Sequence, residues 1–202
     1  AEHAVSLLFA LARHIPRADA GMKAGEWPKN GLTGFELEGK RLGVIGLGRI
    51  GATVARKAVG IGMEVAAFDP FLPTSAAGRM SVPMKPLDEL LAWADIITLH
   101  IPRTKETTNI IGEAQMRAMR KGSYLINAAR GGLVDEDALL KVLDEGHLAG
   151  AALDTFVTEP LQKDSPLRAN AKLILTPHLG ASTSEAQQAV STILARQMIE
   201  FM

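Results

Sequence analysis

The sequence predicts an α/β domain: a doubly wound parallel sheet with helices on both faces. Three observations predict it. Short apolar runs without polar alternation recur along the chain, as strands buried on both faces require. Amphipathic stretches of helical period separate those runs, which is the alternation of a parallel sheet. One such run, Leu42 to Ile45, passes without a gap into Gly46-Leu47-Gly48-Arg49-Ile50-Gly51, where only a turn can follow.

The elements are expected in this order. A helix covers about Glu2 to Ala20, interrupted at Pro16 and ending near Gly21, with Val5, Leu8 and Ala12 on one face and Leu7 and Leu11 beside it. Ala1 to Ala12 is apolar enough to resemble a secretory leader. Glu2 and His3, however, stand where basic residues belong, and no convincing cleavage site follows. Gly21 to Gly39, carrying Trp27, Pro28, Gly31 and Gly34, is a long irregular connection. Strands are expected at Leu42–Ile45, Glu64–Phe68, Ile96–His100, Ser123–Asn127, Gly150–Leu153 and Leu173–Leu175, with Ser81–Met84 as a further short one. Helices are expected at Gly51–Ile61, Pro86–Ala92, Glu113–Ala118, Glu136–Asp144 and Ser184–Met202. Asp135 and Glu136 put carboxylates at one helix start, and Gly146 lies just past that helix's end.

The glycine turn carries chemistry. Gly46 allows a turn too tight for a Cβ, Gly48 lets the backbone approach a pyrophosphate, and Gly51 lets the helix press on the strand. The helix start adds unpaired N–H groups and a positive dipole end. Asp69 closes the second strand 18 residues beyond the last glycine, close to the place of a ribose-binding acid in a Rossmann-type dinucleotide fold. A carboxylate there accepts hydrogen bonds from ribose hydroxyls and repels a 2′-phosphate. NAD is therefore expected rather than NADP.

Composition narrows the field. The chain of 202 residues is 47% hydrophobic and only 4% aromatic, so its core is aliphatic and large enough to need no staples. Its 22 basic and 22 acidic residues balance, and no basic block points to nucleic acid or an acidic membrane. Absence of cysteine excludes disulfides, thiol nucleophiles and Cys-ligated metals, and fits a cytoplasmic location. No run is long enough to span a membrane as a helix. The five histidines show no paired ligand spacing, so no metal is expected.

Polar residues gather where the strands end. Asp69-Pro70 follows the second strand, His100-Ile101-Pro102 the third, Asn127-Ala128-Ala129-Arg130 the fourth, Asp154 the fifth and Thr176-Pro177-His178 the last. Carboxyl ends of parallel strands are where ligands of open α/β sheets bind. Arg130 offers a two-pronged cation for a substrate carboxylate or carbonyl. His178 can take a hydroxyl proton as hydride leaves. Glu159 can hold one imidazole nitrogen and fix the tautomer. An isolated histidine after a strand is ordinarily a loop residue; the trio gains weight from standing together on the cofactor's edge. His3, His14 and His147 read as helix or turn histidines.

Together with Asn127 to Gly132 running into Leu133-Val134-Asp135, Ala151-Ala152-Leu153-Asp154 with Glu159-Pro160, and Pro177-His178-Leu179-Gly180, the glycine motif resembles the NAD-dependent D-2-hydroxyacid dehydrogenases. Asp69-Pro70-Phe71, Pro177 to Thr183 and Glu185-Ala186-Gln187 are most similar to that family's 3-phosphoglycerate-oxidising branch. The resemblance implies Arg130, Glu159 and His178 as catalytic residues acting on a small 2-hydroxy acid. It implies that Gly46, Gly48, Arg49, Ile50, Gly51, Asp69, Pro70, His100, Ile101, Pro102, Ala128, Ala129, Arg130, Asp154, His178, Leu179, Gly180 and Ala181 surround NAD. It further implies that the chain is the nucleotide-binding domain alone, with a linking helix at 1–20, a core at 41–180 and a second, truncated linking helix at 184–202. The substrate domain would be absent, the parent enzyme a homo-oligomer, and this piece a monomer or a dimer joined through the first helix, whose apolar face relatives bury in a dimer. Two other readings stay open: a glyoxylate, hydroxypyruvate or lactate-type reductase of the same family, and an NAD-sensing protein-binding module without catalysis.

Overall fold

The computed structural model describes residues 1–72 and 82–189. Glu2–Arg13 forms α1, and its buried Ala4, Leu7, Leu8, Leu11 and Ala12 trace one apolar stripe of helical period. The helix stops at His14, which adopts a left-handed backbone with φ 53, and Ile15–Lys23 continues as α2. The break thus falls two residues before the expected Pro16. Proline occupies the first turn of α2, where its missing N–H has no helical acceptor to lose.

Beyond the connection lie β1 (Arg41–Ile45), α3 (Arg49–Gly60) and β2 (Glu64–Phe68), then α4 (Leu87–Trp93), β3 (Ile96–Leu99), α5 (Glu113–Ala118) and β4 (Ser123–Asn127). The helix α6 (Glu136–Asp144), β5 (Leu148–Leu153), a short 3₁₀ turn at Pro166–Ala169 and β6 (Leu173–Leu175) complete the named elements. The expected strands at Glu64–Phe68, Ser123–Asn127 and Leu173–Leu175 match residue for residue, while the others differ at their ends. Of the expected Ser81–Met84 strand only an isolated bridge between Met84 and Ala67 is seen, Ser81 itself lying outside the described residues. Residues 184–189 are helical, and the rest of the helix expected to reach Met202 lies outside the described residues.

Six parallel strands stand in the order β2-β1-β3-β4-β5-β6. The chain winds outward from β1 to β2, then returns to place β3 on the other flank of β1. That reversal opens a crevice at the carboxyl ends of β1 and β3, the topological switch point of an open α/β sheet. One core layer joins Leu90, Leu91, Ile97, Leu99, Leu125, Leu139 and Leu143 beneath α4, α5 and α6. The other joins α1 and α3 to Leu42, Val44, Ile96 and Ile126. Each fully buried Leu or Ile contributes about 1.5–3 kcal/mol.

Helix α1 packs on β4, β5, β6 and α3. Its apolar face, expected to be free for a dimer, is therefore spent on the chain's own sheet, with Phe9 left 43% exposed on the far side. Asp135 caps α6 by accepting the Ala138 N–H at 3.1 Å, as its place in the sequence predicts.

Candidate active site

At the switch point the glycines are required by geometry. Gly46 has φ +97, and a Cβ there would lie 2.8 Å from the His100 carbonyl carbon and oxygen. A Cβ on Gly51 would lie 1.8 Å from the Gly46 oxygen, so α3 rests directly on the turn. Gly48 is the N-cap of α3, and a Cβ built on it would meet nothing within 4 Å. Arg49, Ile50 and Gly51 have N–H groups with no protein acceptor among the described residues. Open space, free donors and the positive end of a helix form a cradle that fits a pyrophosphate. Asp69, 8% exposed, braces it: Oδ2 accepts the Leu47 N–H and Oδ1 the Phe71 N–H, each at 2.8 Å. Each oxygen keeps a lone pair for another donor. Pro70 follows at the exposed end of β2.

Across the crevice, a cavity of about 260 Å³ is lined by Ile50, His100, Ile101, Pro102, Ala128, Ala129 and Arg130. The His100 ring has Nε2 3.0 Å from Thr98 Oγ1, while its buried Nδ1 has no partner among the described residues. Burial lowers the His100 pKa from 6.5 to about 4. Between those values the unfolded chain holds a proton that the folded chain rejects, so stability falls as pH drops from 6.5 towards about 4. Denaturant melts across that window should show the loss, and His100→Gln should flatten it.

Arg130 leaves β4 through a turn built by Asn127, whose Oδ1 accepts the Ala129 N–H at 3.1 Å and whose Nδ2 donates to the Arg130 carbonyl at 2.9 Å. The exposed guanidinium donates to the Ala129 carbonyl at 2.6 Å. Behind it, a Cβ on Gly131 would fall 1.7 Å from the Phe156 oxygen, so this loop abuts the loop after β5.

That second loop carries the acid. Glu159 Oε1 accepts the Phe156 N–H at 2.9 Å, and Oε2 lies 2.7 Å from His178 Nδ1. With Nδ1–H donated to the carboxylate, Nε2 remains available, and the ring is about half exposed. The hydrogen bond from His178 holds the Glu159 carboxyl below its ordinary 4.5. The pairing is complete above that value and is lost as pH falls through the lowered one. Carboxyl NMR titration should place the Glu159 midpoint below 4.5, rising towards it in His178→Ala. A cavity of about 630 Å³ beside the pair is lined by Phe156, Pro160, Leu161, Arg168, Leu175 and Pro177.

Two expectations need correction. Asp154, expected against the cofactor, is fully buried. Its Oδ1 accepts from Thr176 Oγ1 at 2.5 Å and Leu179 N–H at 2.8 Å, and its Oδ2 from Gly180 N–H at 3.0 Å. It holds the turn that presents His178, whose φ is 57, and reaches the crevice only through the backbone it fixes. His3, read as an ordinary helix histidine, brings Nε2 to 3.0 Å from Asp154 Oδ1. The same nitrogen lies 3.1 Å from Thr176 Oγ1, 173 residues along the chain, and separations of that size hid both contacts. Phe156 was missed as well, because it acts through its backbone. Leu179 and Ile50 are 40% and 51% exposed, and Ile50 lines the cavity beside His100. Arg130 makes no bond to the Glu159–His178 pair among the described residues. No metal-binding group of His, Asp and Glu occurs among those residues, and none of their helices is long and apolar enough to cross a membrane.

Residues 5–180 match the family model described as D-isomer specific 2-hydroxyacid dehydrogenase, NAD binding domain. The chain is 48% identical to D-3-phosphoglycerate dehydrogenase of Methanocaldococcus jannaschii over 199 residues, 98% of this chain and 38% of that protein. The pyruvate reductase of Chlamydomonas reinhardtii superposes with a TM-score of 0.87 at 37% identity, covering 95% of this chain and 62% of that one. D-lactate dehydrogenase from Aquifex aeolicus, complexed with NAD and lactic acid, gives 0.86 at 31% identity, covering 99% and 65%. The chain thus spans between 31% and 38% of the length of the curated relatives it matches. With the family model matched over one continuous stretch that includes the glycine turn and the Glu159–His178 pair, the chain belongs to the D-isomer specific 2-hydroxyacid dehydrogenases, of which it carries the NAD-binding domain.

Proposed function

We propose that this chain is the nucleotide-binding part of an enzyme that oxidises 3-phosphoglycerate to 3-phosphohydroxypyruvate in serine biosynthesis. The observation that carries the reading is the 2.7 Å contact between His178 Nδ1 and Glu159 Oε2. It leaves Nε2 as the one ring nitrogen able to take a proton. NAD, when bound, supplies the acceptor for the substrate's C2 hydride. As that hydride departs, His178 Nε2 takes the C2 hydroxyl proton and the C–O bond becomes a carbonyl. Glu159 holds the imidazole and balances the charge it gains. The Arg130 guanidinium grips the substrate carboxylate and polarises the reacting oxygen. Arg49 and Ile50 would hold the pyrophosphate through backbone N–H groups, and Asp69 would take the ribose hydroxyls.

The choice of 3-phosphoglycerate is supported by the name of the 48% identical relative. Residues beyond this chain would supply the opposite wall of the site and exclude water, so the chain alone should bind NADH yet turn over little substrate. The test is a panel of 2-hydroxy acids presented to the intact enzyme with NAD and with NADP. The reading expects reduction of NAD, and not NADP, with 3-phosphoglycerate far ahead of glycerate, lactate and glycolate. Preference for an unphosphorylated acid would overturn the substrate, and no oxidation of any acid would overturn the catalytic reading.

A further inference from the structure

The geometry points to His3, on the first helix, as a positioning residue for the turn that presents His178. Its link to catalysis rests on the function proposed above. His178 holds a left-handed backbone with φ 57. A non-glycine residue adopts that conformation uncommonly, and its surroundings help to hold it there. The determinant is one buried carboxylate, that of Asp154, which accepts from Thr176, Leu179 and Gly180 on both sides of His178. His3 Nε2 is its fourth polar neighbour, 3.0 Å from Oδ1 and 3.1 Å from Thr176 Oγ1.

These distances fix the directions. Thr176 donates its only hydroxyl proton to Asp154, so its oxygen can only accept from His3. A proton on His3 Nε2 is then shared between Asp154 Oδ1 and Thr176 Oγ1, closing a ring of three side chains from helix α1, the end of β5 and the end of β6. His3 lies one helical turn from buried Leu7, whose helix packs on β4, β5 and β6. The position of α1 is thereby transmitted to the His178 turn through a hydrogen bond rather than through apolar contact alone. Without His3, Asp154 Oδ1 loses one partner and Thr176 Oγ1 its donor, so the Thr176–Asp154 bond is held less firmly and the turn that fixes the His178–Glu159 bond loosens.

The test uses this chain with ¹⁵N-labelled histidine, read by NMR at alkaline pH where the rings are neutral. In the unsubstituted chain, His178 should show one protonated nitrogen, Nδ1, and one bare nitrogen, Nε2. His3→Ala should pull the two signals together, as in a ring exchanging freely between tautomers. His3→Gln, which restores an N–H donor at the same reach, should bring back the separated pair. His14→Ala, on the break between α1 and α2, should leave it unchanged. Thermal melts of each variant record any general loss of stability separately. Unchanged His178 signals in His3→Ala, with or without a lower melting temperature, would overturn the inference. So would His3→Gln behaving like His3→Ala. Failure of the substrate panel would leave this NMR result untouched, so the two claims fail independently.

Discussion

His178→Ala in the intact enzyme should lower turnover about a hundredfold or more, the usual contribution of a positioned general base. The effect should fall on the chemical step, because His178 bonds to Glu159 beyond β6, four strands along the sheet from β1 and its glycine turn. NADH affinity should therefore change little while kcat and kcat/KM fall together. Glu159→Gln should cost less. An amide oxygen can still accept from Nδ1, but the charge that balances a protonated ring is gone. Arg130→Lys should also lose activity, since a point charge cannot reproduce a two-pronged grip. Turnover of His178→Ala equal to that of the unsubstituted enzyme would remove it from the chemistry.

Gly51→Ala should damage fold and cofactor binding together. The added methyl would lie 1.8 Å from the Gly46 oxygen and 3.3 Å from His100 Cβ, so the backbone of the turn must move. Overpacking of this kind costs about 1–3 kcal/mol of stability. The same shift re-aims the N–H groups of Arg49 and Ile50, and a loss of about 1.4 kcal/mol there weakens NADH at least about tenfold. Gly48→Ala is the informative comparison. Its methyl points into open space at φ −62, so the fold should tolerate it. NADH should still bind poorly, because the methyl takes the volume a pyrophosphate would occupy. Thermal melts and NADH fluorescence titrations of both variants check the pair. Wild-type binding by Gly48→Ala would place the phosphates elsewhere.

Much of this architecture was legible in the sequence because its signals are local. Three expected strands match in full, since runs such as Glu64–Phe68 are short, apolar and bounded by turn residues. The glycine turn was legible because a positive φ and a missing Cβ are requirements that one residue type meets. Glu159 and His178 were separately visible as chemistry-bearing residues, and their meeting follows from the parallel order of β5 and β6. What escaped depends on distance along the chain. Asp154 ends a strand as a ligand-binding acid would, yet backbone donors from the turn after β6 fold over it and consume both oxygens. His3 gives no local sign that Asp154 lies beside it. The stop at His14 was assigned to Pro16 because proline breaks helix interiors. Here it begins a second helix instead, where it does no harm. The apolar face of α1, expected to pair with a partner chain, lies on the chain's own sheet, an outcome that helical periodicity alone cannot separate from the other.

The central claim is that the cofactor lies along the carboxyl edge of the sheet, from the glycine cradle to the Glu159–His178 pair. Amide NMR of this chain titrated with NADH tests it most directly. Saturable shifts are expected at Gly46 to Gly51, at Asp69, at His100 and Ile101, at Ala128 to Arg130 and at His178 to Ala181. Shifts gathered instead around the cavity of Lys40, Arg120, Lys121 and Tyr124, at the amino ends of the strands, would contradict it.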